Sequence, residues 1–218
     1  MHHDFWHERW QTGQIGFHQS GVHPLLERWW ARLGAPRAAR VYVPLCGKSL
    51  DMTWLAGRGH TLVGSELSPI AIREFFAERG LEPACTVQDG FRSHAAGPYE
   101  ILEGDALELT PGVLGPVGAA YDRAALVALP PDLRGRYATS LARLLPSGAR
   151  ALLVAFEYPQ EMKGGPPFSV EAAEVRALFE PAFAIEQVER LDVLAASPKF
   201  AELGIPALHE TAFLLTRA

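Results

Sequence analysis

Cysteine is nearly absent. Cys46 and Cys85 are the two in a chain of 218 residues, and they stand in no metal-ligand spacing. With no disulfide framework and no ligand cluster, a reducing cytoplasm is the expected setting and no structural metal is expected. Long apolar runs are missing too. None reaches the roughly 18 residues of a membrane span, and no signal-peptide pattern is read, so no membrane partner is expected. Positive charge is short: 20 Lys and Arg stand against 25 Asp and Glu, a net −5. That balance argues against a nucleic-acid backbone as the main partner. Internal repeats and low-complexity tracts do not occur. What is there, 48% hydrophobic and 21% charged residues, suits a globular chain that buries a substantial core. A single domain over 1–218 is expected, and nothing in the pattern demands more than a monomer.

Two familiar phosphate loops are missing as well. Gly47-Lys48-Ser49 ends like a P-loop, but that motif needs a glycine at position 42, where Tyr42 stands. The dinucleotide fingerprint Gly-x-Gly-x-x-Gly fails because Gly47 is the only glycine in its turn. The stretch Arg40–Asp51 nevertheless has the right organisation. A short β-branched and aromatic run reads as a strand, Pro44 and Gly47 break it, and Ser49 or Asp51 can cap a following helix. Backbone N–H groups converge at such a turn and favour an anion or a nucleotide. A second apolar run, Thr61–Ser65, ends in Glu66, about twenty residues on, where Rossmann-type units place the carboxylate that binds a ribose diol. One glycine leaves little room to wrap a pyrophosphate. A nucleoside without phosphates fits better, and S-adenosylmethionine is such a ligand. The plain alternative is an ordinary strand–turn–helix with a surface Glu66.

Met1–Gly34 is unusually aromatic. Phe5, Trp6 and Trp10 recur at helical spacing, and Leu25, Leu26, Trp29 and Trp30 do so again. Gly13–His18 reads as a loop between them. Residues 1–34 are therefore expected to form helices, Trp29 and Trp30 against the core and Trp10 and Phe17 around a lid. His3 and His7, four apart, have no third ligand nearby and read as a solvated or partly packed face. From Arg40 onward strands alternate with helices, which predicts an α/β fold. Seven strands are read: near Arg40, Thr61–Ser65, Tyr99–Leu102, Gly118–Tyr121, Ala151–Phe156, Phe183–Val188 and Thr211–Thr216, the last two as a closing antiparallel pair. Arg134, Arg136 and Arg143 lie along one predicted helix and read as a solvated face. Glu66, Asp105 and Asp122-Arg123 each follow the C-terminal end of a predicted strand, the edge at which open α/β sheets bind ligands. Any one of them could be a surface charge; all of them at one edge, with the turn at Leu45, point to a site.

These pieces carry a resemblance. Trp6–Trp10, Ile15-Gly16-Phe17-His18, Pro44-Leu45-Cys46-Gly47-Lys48-Ser49, Gly64-Ser65-Glu66-Leu67-Ser68, Tyr121–Ala128, Gly164-Gly165-Pro166-Pro167-Phe168 and Phe213-Leu214-Leu215-Thr216 resemble the thiopurine S-methyltransferase family, its bacterial members above all. The match runs in order over nearly the whole chain. It implies a class I, Rossmann-like methyltransferase fold, a mostly parallel seven-stranded sheet with helices on both faces, and S-adenosylmethionine as methyl donor. It implies cofactor contacts at Trp10, Leu45, Glu66 and Arg123, with Asp105 and Ala106 beside the adenine. Phe17 and Arg123 are implied on the acceptor side, where His18 is also expected; Asp122 and Arg123 are read as the catalytic pair, with Asp122 or His18 as a candidate proton acceptor. The acceptor implied is a small molecule: a heterocyclic thiol such as a thiopurine, or selenium or tellurium oxyanions. Where thiopurine-active members have a further arginine near the last insertion, Ser197-Pro198-Lys199 offers only Lys199. The rival readings are a halide or small-thiol methyltransferase and a non-catalytic S-adenosylmethionine-binding module.

Overall fold

The computed structural model describes residues 3–218, so Met1 and His2 of the expected lid lie outside the described residues. Two helices open the chain, α1 (His3–Gln11) and α2 (Pro24–Leu33). Pro24 sits in the first turn of α2, His23 caps it, and Gly34 ends it in the left-handed conformation. There follow β1 (Arg40–Val43), α3 (Leu50–Ala56), β2 (Thr61–Glu66), α4 (Pro69–Ala77), β3 (Ala84–Gln88), β4 (Phe91–Ala96) and β5 (Tyr99–Glu103). The second half holds α5 (Pro111–Leu114), β6 (Ala119–Asp122), α6 (Ala125–Ala128), α7 (Pro131–Leu144), β7 (Arg150–Glu157), α8 (Ala172–Phe179), β8 (Phe183–Asp192), α9 (Pro198–Glu202) and β9 (His209–Arg217).

All nine strands form one sheet in the order β3-β4-β5-β2-β1-β6-β7-β9-β8. The five central strands, β5 to β7, run parallel, and β9 joins β7 antiparallel. The chain builds outward from β1 in both directions, so the order reverses between β1 and β6. Ligands of open α/β sheets bind outside the strand ends at that reversal. Alternation divides the core in two. Val41 and Val43 face a cluster with Leu25, Leu26, Trp30, Met52 and Phe75. Tyr42, between them, faces the other layer with Leu126, Tyr137, Leu141 and Phe179. Trp30 is buried there and donates to His60 Nε2 at 3.1 Å, which places the second aromatic pair on the core as its spacing implies.

Two sequence expectations are corrected. The sheet has nine strands where seven were expected, because β3 and β4 form an antiparallel hairpin. Every residue of β3 is exposed, so the apolar alternation that betrays a half-buried strand is missing. The legible signal was the turn: Asp89 and Gly90 both have positive φ, 47° and 83°, as a two-residue hairpin turn requires. The arginines of α7 do not share a solvated face. Arg136 is exposed against Glu108, but Arg134 is 2% exposed. It donates through Nε to the Leu129 carbonyl and through Nη1 to both oxygens of Glu174, tying α7 to α8.

Candidate active site

The turn after β1 is held in an unusual shape. Leu45 has φ +47° and Gly47 +51°. A left-handed leucine costs on the order of 1–2 kcal/mol and persists only where its surroundings fix it. Cys46 N donates to Ser65 O at 3.0 Å, and Ser49 N to Cys46 O at 3.1 Å. Ser49, of the two expected caps, closes the start of α3 by accepting from Asp51 N. A β-carbon on Gly64 would lie 2.5 Å from Cys46 Sγ, so that glycine lets the turn pack onto β2. One on Gly47 would meet the Trp10 ring at 3.2 Å.

Glu66 bridges the turn and the next helix. Its Oε2 accepts from Gly47 N at 2.9 Å and its Oε1 from Ser68 N at 2.8 Å. Burial pushes its carboxyl pKa up, while the backbone donors Ser68, Gly47 and Leu67 pull the other way. Each carboxylate oxygen has a further lone pair, so both can accept from a ligand as well.

A cavity of about 650 Å³ opens over these groups. Leu45, Gly47, Glu66, Asp105 and Ala106 line one end, and Trp10, Phe17 and His18 lie against it from the N-terminal segment. Asp105 accepts from Leu107 N at 2.9 Å through Oδ1, and its Oδ2 meets His3 Nε2 at 2.9 Å. His3 thus joins α1 to the site. Trp10 is buried, its ring 5.6 Å from that of Phe17 and edge-on to it. Burial lowers the His18 pKa, and the cations Lys48 and Arg123 lower it further, which favours the neutral imidazole. Of the predicted residues, Trp10, Phe17, His18, Leu45, Glu66, Asp105, Ala106, Arg123 and Lys199 all line this one cavity.

Asp122 is not among them. It is 1% exposed, its Oδ1 accepts from Ala125 N and Leu126 N, and its Oδ2 from Tyr137 O–H at 2.6 Å. It lies beneath the cavity and fixes the start of α6, so no oxygen of it faces an acceptor. Burial raises its pKa from 3.8 to about 6. A carboxyl raised in the folded state contributes stability that is full below the unfolded value and is lost as pH rises through about 6. Asp122→Asn is therefore expected to gain stability relative to the parent, by up to about 3 kcal/mol, between pH 4 and 7.5. Melting temperatures of both proteins at the two pH values test this; a difference independent of pH would show the buried charge fully compensated.

The sequence reading missed what holds Arg123. Asp51 is 3% exposed and accepts from His23 N (2.8 Å) and Tyr121 O–H (3.0 Å), with Arg123 Nε 3.7 Å from its Oδ2. Arg123 makes no hydrogen bond among the described residues and lines the cavity. In the sequence Asp51 reads as a helix-capping residue, and no local pattern announces its partners from two distant segments. Lys163, Phe156 and Phe200, which also line the cavity, were not singled out either.

The thiopurine S-methyltransferase (TPMT) family model matches residues 1–218. The chain is 49% identical over 214 residues to a thiopurine S-methyltransferase of Xanthomonas axonopodis pv. citri, covering 98% of each. It is 50% identical over 213 residues to one of Methylococcus capsulatus, covering 97% of this chain and 96% of that one. Among solved structures, a 1,6-didemethyltoxoflavin-N1-methyltransferase of Burkholderia thailandensis, with S-adenosylhomocysteine bound, aligns with a TM-score of 0.66 at 18% identity, over 99% of this chain and 87% of that one. An S-adenosylmethionine-dependent methyltransferase of Anabaena variabilis gives 0.67 at 14%, over 99% and 95%. Both likenesses establish the class I methyltransferase fold.

Proposed function

This chain belongs to the thiopurine S-methyltransferase family, and from that premise we propose that its methyl acceptor is an anionic soft nucleophile, an aromatic or heterocyclic thiolate of the thiopurine kind. It is an S-adenosylmethionine-dependent methyltransferase acting on a small molecule. The observation that carries the finer reading is the set of free cations in the cavity. Arg123, Lys163 and Lys199 line it and none hydrogen-bonds a carboxylate among the described residues. Lys48, also in the lining, is by contrast held by Glu74 and Glu78, and Glu210 lies against His23. The carboxylates Glu66 and Asp105 line the cavity at the ends of β2 and β5.

The carboxylates fit the donor. In our reading Glu66 accepts from both ribose hydroxyls, Leu45 and Gly47 bring the turn's backbone close, and Asp105 and Ala106 flank the adenine. Trp10 offers its face to the sulfonium, worth ~1–2 kcal/mol when desolvated. When bound, the donor supplies a methyl on cationic sulfur and departs as a neutral thioether. Everything else is alignment and water exclusion by the chain itself. Arg123, with Lys163 nearby, stabilises the acceptor as its anion. Phe17, Phe156 and Phe200 hold a flat ring, and neutral His18 can take the thiol proton. Within the N-terminal extension 1–34, α1 and the loop after it serve as the lid of a single, monomeric domain while α2 packs into the core, with no metal ion or nucleic acid taking part.

The aromatic lining favours a planar thiol over halide, simple thiols or the oxyanions of selenium and tellurium. A sealing lid favours an enzyme over a binding module. Labelled-methyl transfer to thiopurine, simple thiol, iodide, selenite and tellurite acceptors tests the proposal. Preferred transfer to the thiopurine is expected; preference for iodide or a simple thiol would overturn it.

A further inference from the structure

A second recess, of about 410 Å³, opens beside the main cavity between α1, the loop 13–17 and Pro166. Trp6, Gly16, Phe17, Pro166 and Lys199 line both, so the two spaces adjoin. Arg9 and Lys199 line the recess, and no Asp or Glu does. Lys163 stands on the main-cavity side.

The charge of these cations is uncompensated. Arg9 donates to the neutral amide of Gln14 and lies 4.9 Å from the Phe5 ring centroid. The Lys163 ammonium donates to the Pro166 carbonyl at 2.9 Å. The Lys199 ammonium packs across Gly16, 2.6 Å from where a β-carbon would stand. None of the three pairs with a carboxylate among the described residues. Elsewhere on this acidic chain, Lys48 is shared by Glu74 and Glu78, and Arg28, Arg32 and Arg190 each have a glutamate. Burial lowers the Lys163 pKa and the charge of Arg9 lowers it further, with no carboxylate opposing. Cations that converge in a partly enclosed, aromatic-walled recess without counter-charges attract an anion. A guanidinium held by an amide can still present its fork to a carboxylate or phosphate.

We propose that this recess receives an anionic substituent, carboxylate or phosphate, carried by the methyl acceptor on the side away from its sulfur, with Arg9 as the specific contact and Lys199 as its partner. The inference rests on the thiol reading above and deepens it: the acceptor is charged at two ends, once at sulfur and once at its tail. Arg9 would set which thiols are chosen and take no part in the transfer itself.

Three probes on one scaffold test this: 4-methylbenzenethiol, 4-sulfanylbenzoate and 4-sulfanylphenylphosphonate. Arg9→Gln is expected to raise KM at least 5-fold for the two anionic thiols, leave it unchanged for the neutral one, and leave kcat and S-adenosylhomocysteine affinity unchanged. Arg9→Lys is expected to recover part of the loss, and the anion with the larger effect separates carboxylate from phosphate. An equal rise for all three thiols would make Arg9 a scaffold of the lid and overturn the proposal, as would no rise for any. Turnover of no thiol by the parent enzyme would overturn the thiol reading, and this inference with it. That outcome is distinct from one in which the thiols react without regard to their tails.

Discussion

Glu66→Ala is expected to weaken S-adenosylhomocysteine binding by roughly 1.5–3 kcal/mol, on the order of 10- to 100-fold. Two losses add. The ribose hydroxyls lose their acceptor, and Gly47 N and Ser68 N lose theirs inside a buried turn. The turn carries a left-handed Leu45, a conformation its hydrogen bonds help to fix. Glu66→Gln separates the losses, since its amide oxygen can still accept from one of the two N–H groups while the charge is gone. Calorimetry on folded variants reads both; unchanged affinity in Glu66→Ala would remove Glu66 from the nucleoside site.

Arg123→Lys should cost at least about 10-fold in kcat/KM, which is about 1.4 kcal/mol, and much less in cofactor affinity. The reason lies in how the guanidinium is held. Its Nε faces buried Asp51, itself fixed by His23 N and Tyr121 O–H, and the residue lines the cavity without a hydrogen bond of its own among the described residues. Lysine keeps the charge but has neither the Nε to face Asp51 nor the fork to meet a thiolate and its ring. Kinetics and melting temperature measured on one preparation decide the matter. Near-normal kinetic constants at a lowered melting temperature would make Arg123 a structural partner of Asp51 only.

Much of this was legible beforehand because it is local. A strand broken by Pro44 and Gly47, a cap at Ser49 and an acid at the end of the next strand are all short-range patterns, and each stands as read. What escaped depends on contacts between distant segments. Asp122 reads as a carboxylate at the right sheet edge, yet Tyr137, fifteen residues on, draws it under the floor. Arg134 reads as solvated until Glu174 and the Leu129 carbonyl close around it. Asp51 gains its meaning from Tyr121, seventy positions away. The β3–β4 hairpin escaped for the opposite reason: β3 buries nothing, so no periodicity marked it.

The lid rests on the groups it covers. Trp10 packs closely on Gly47, 3.2 Å from where a β-carbon would stand, and His3 meets the Asp105 oxygen left over from its cap. On the proposed reading, opening this segment would also loosen the grip on the nucleoside. In kinetic terms, donor entry and product escape would then share one gate with one set of latches. Strengthening a latch slows both passages together, so a tighter enzyme would also be a slower one once departure of the demethylated cofactor limits the cycle.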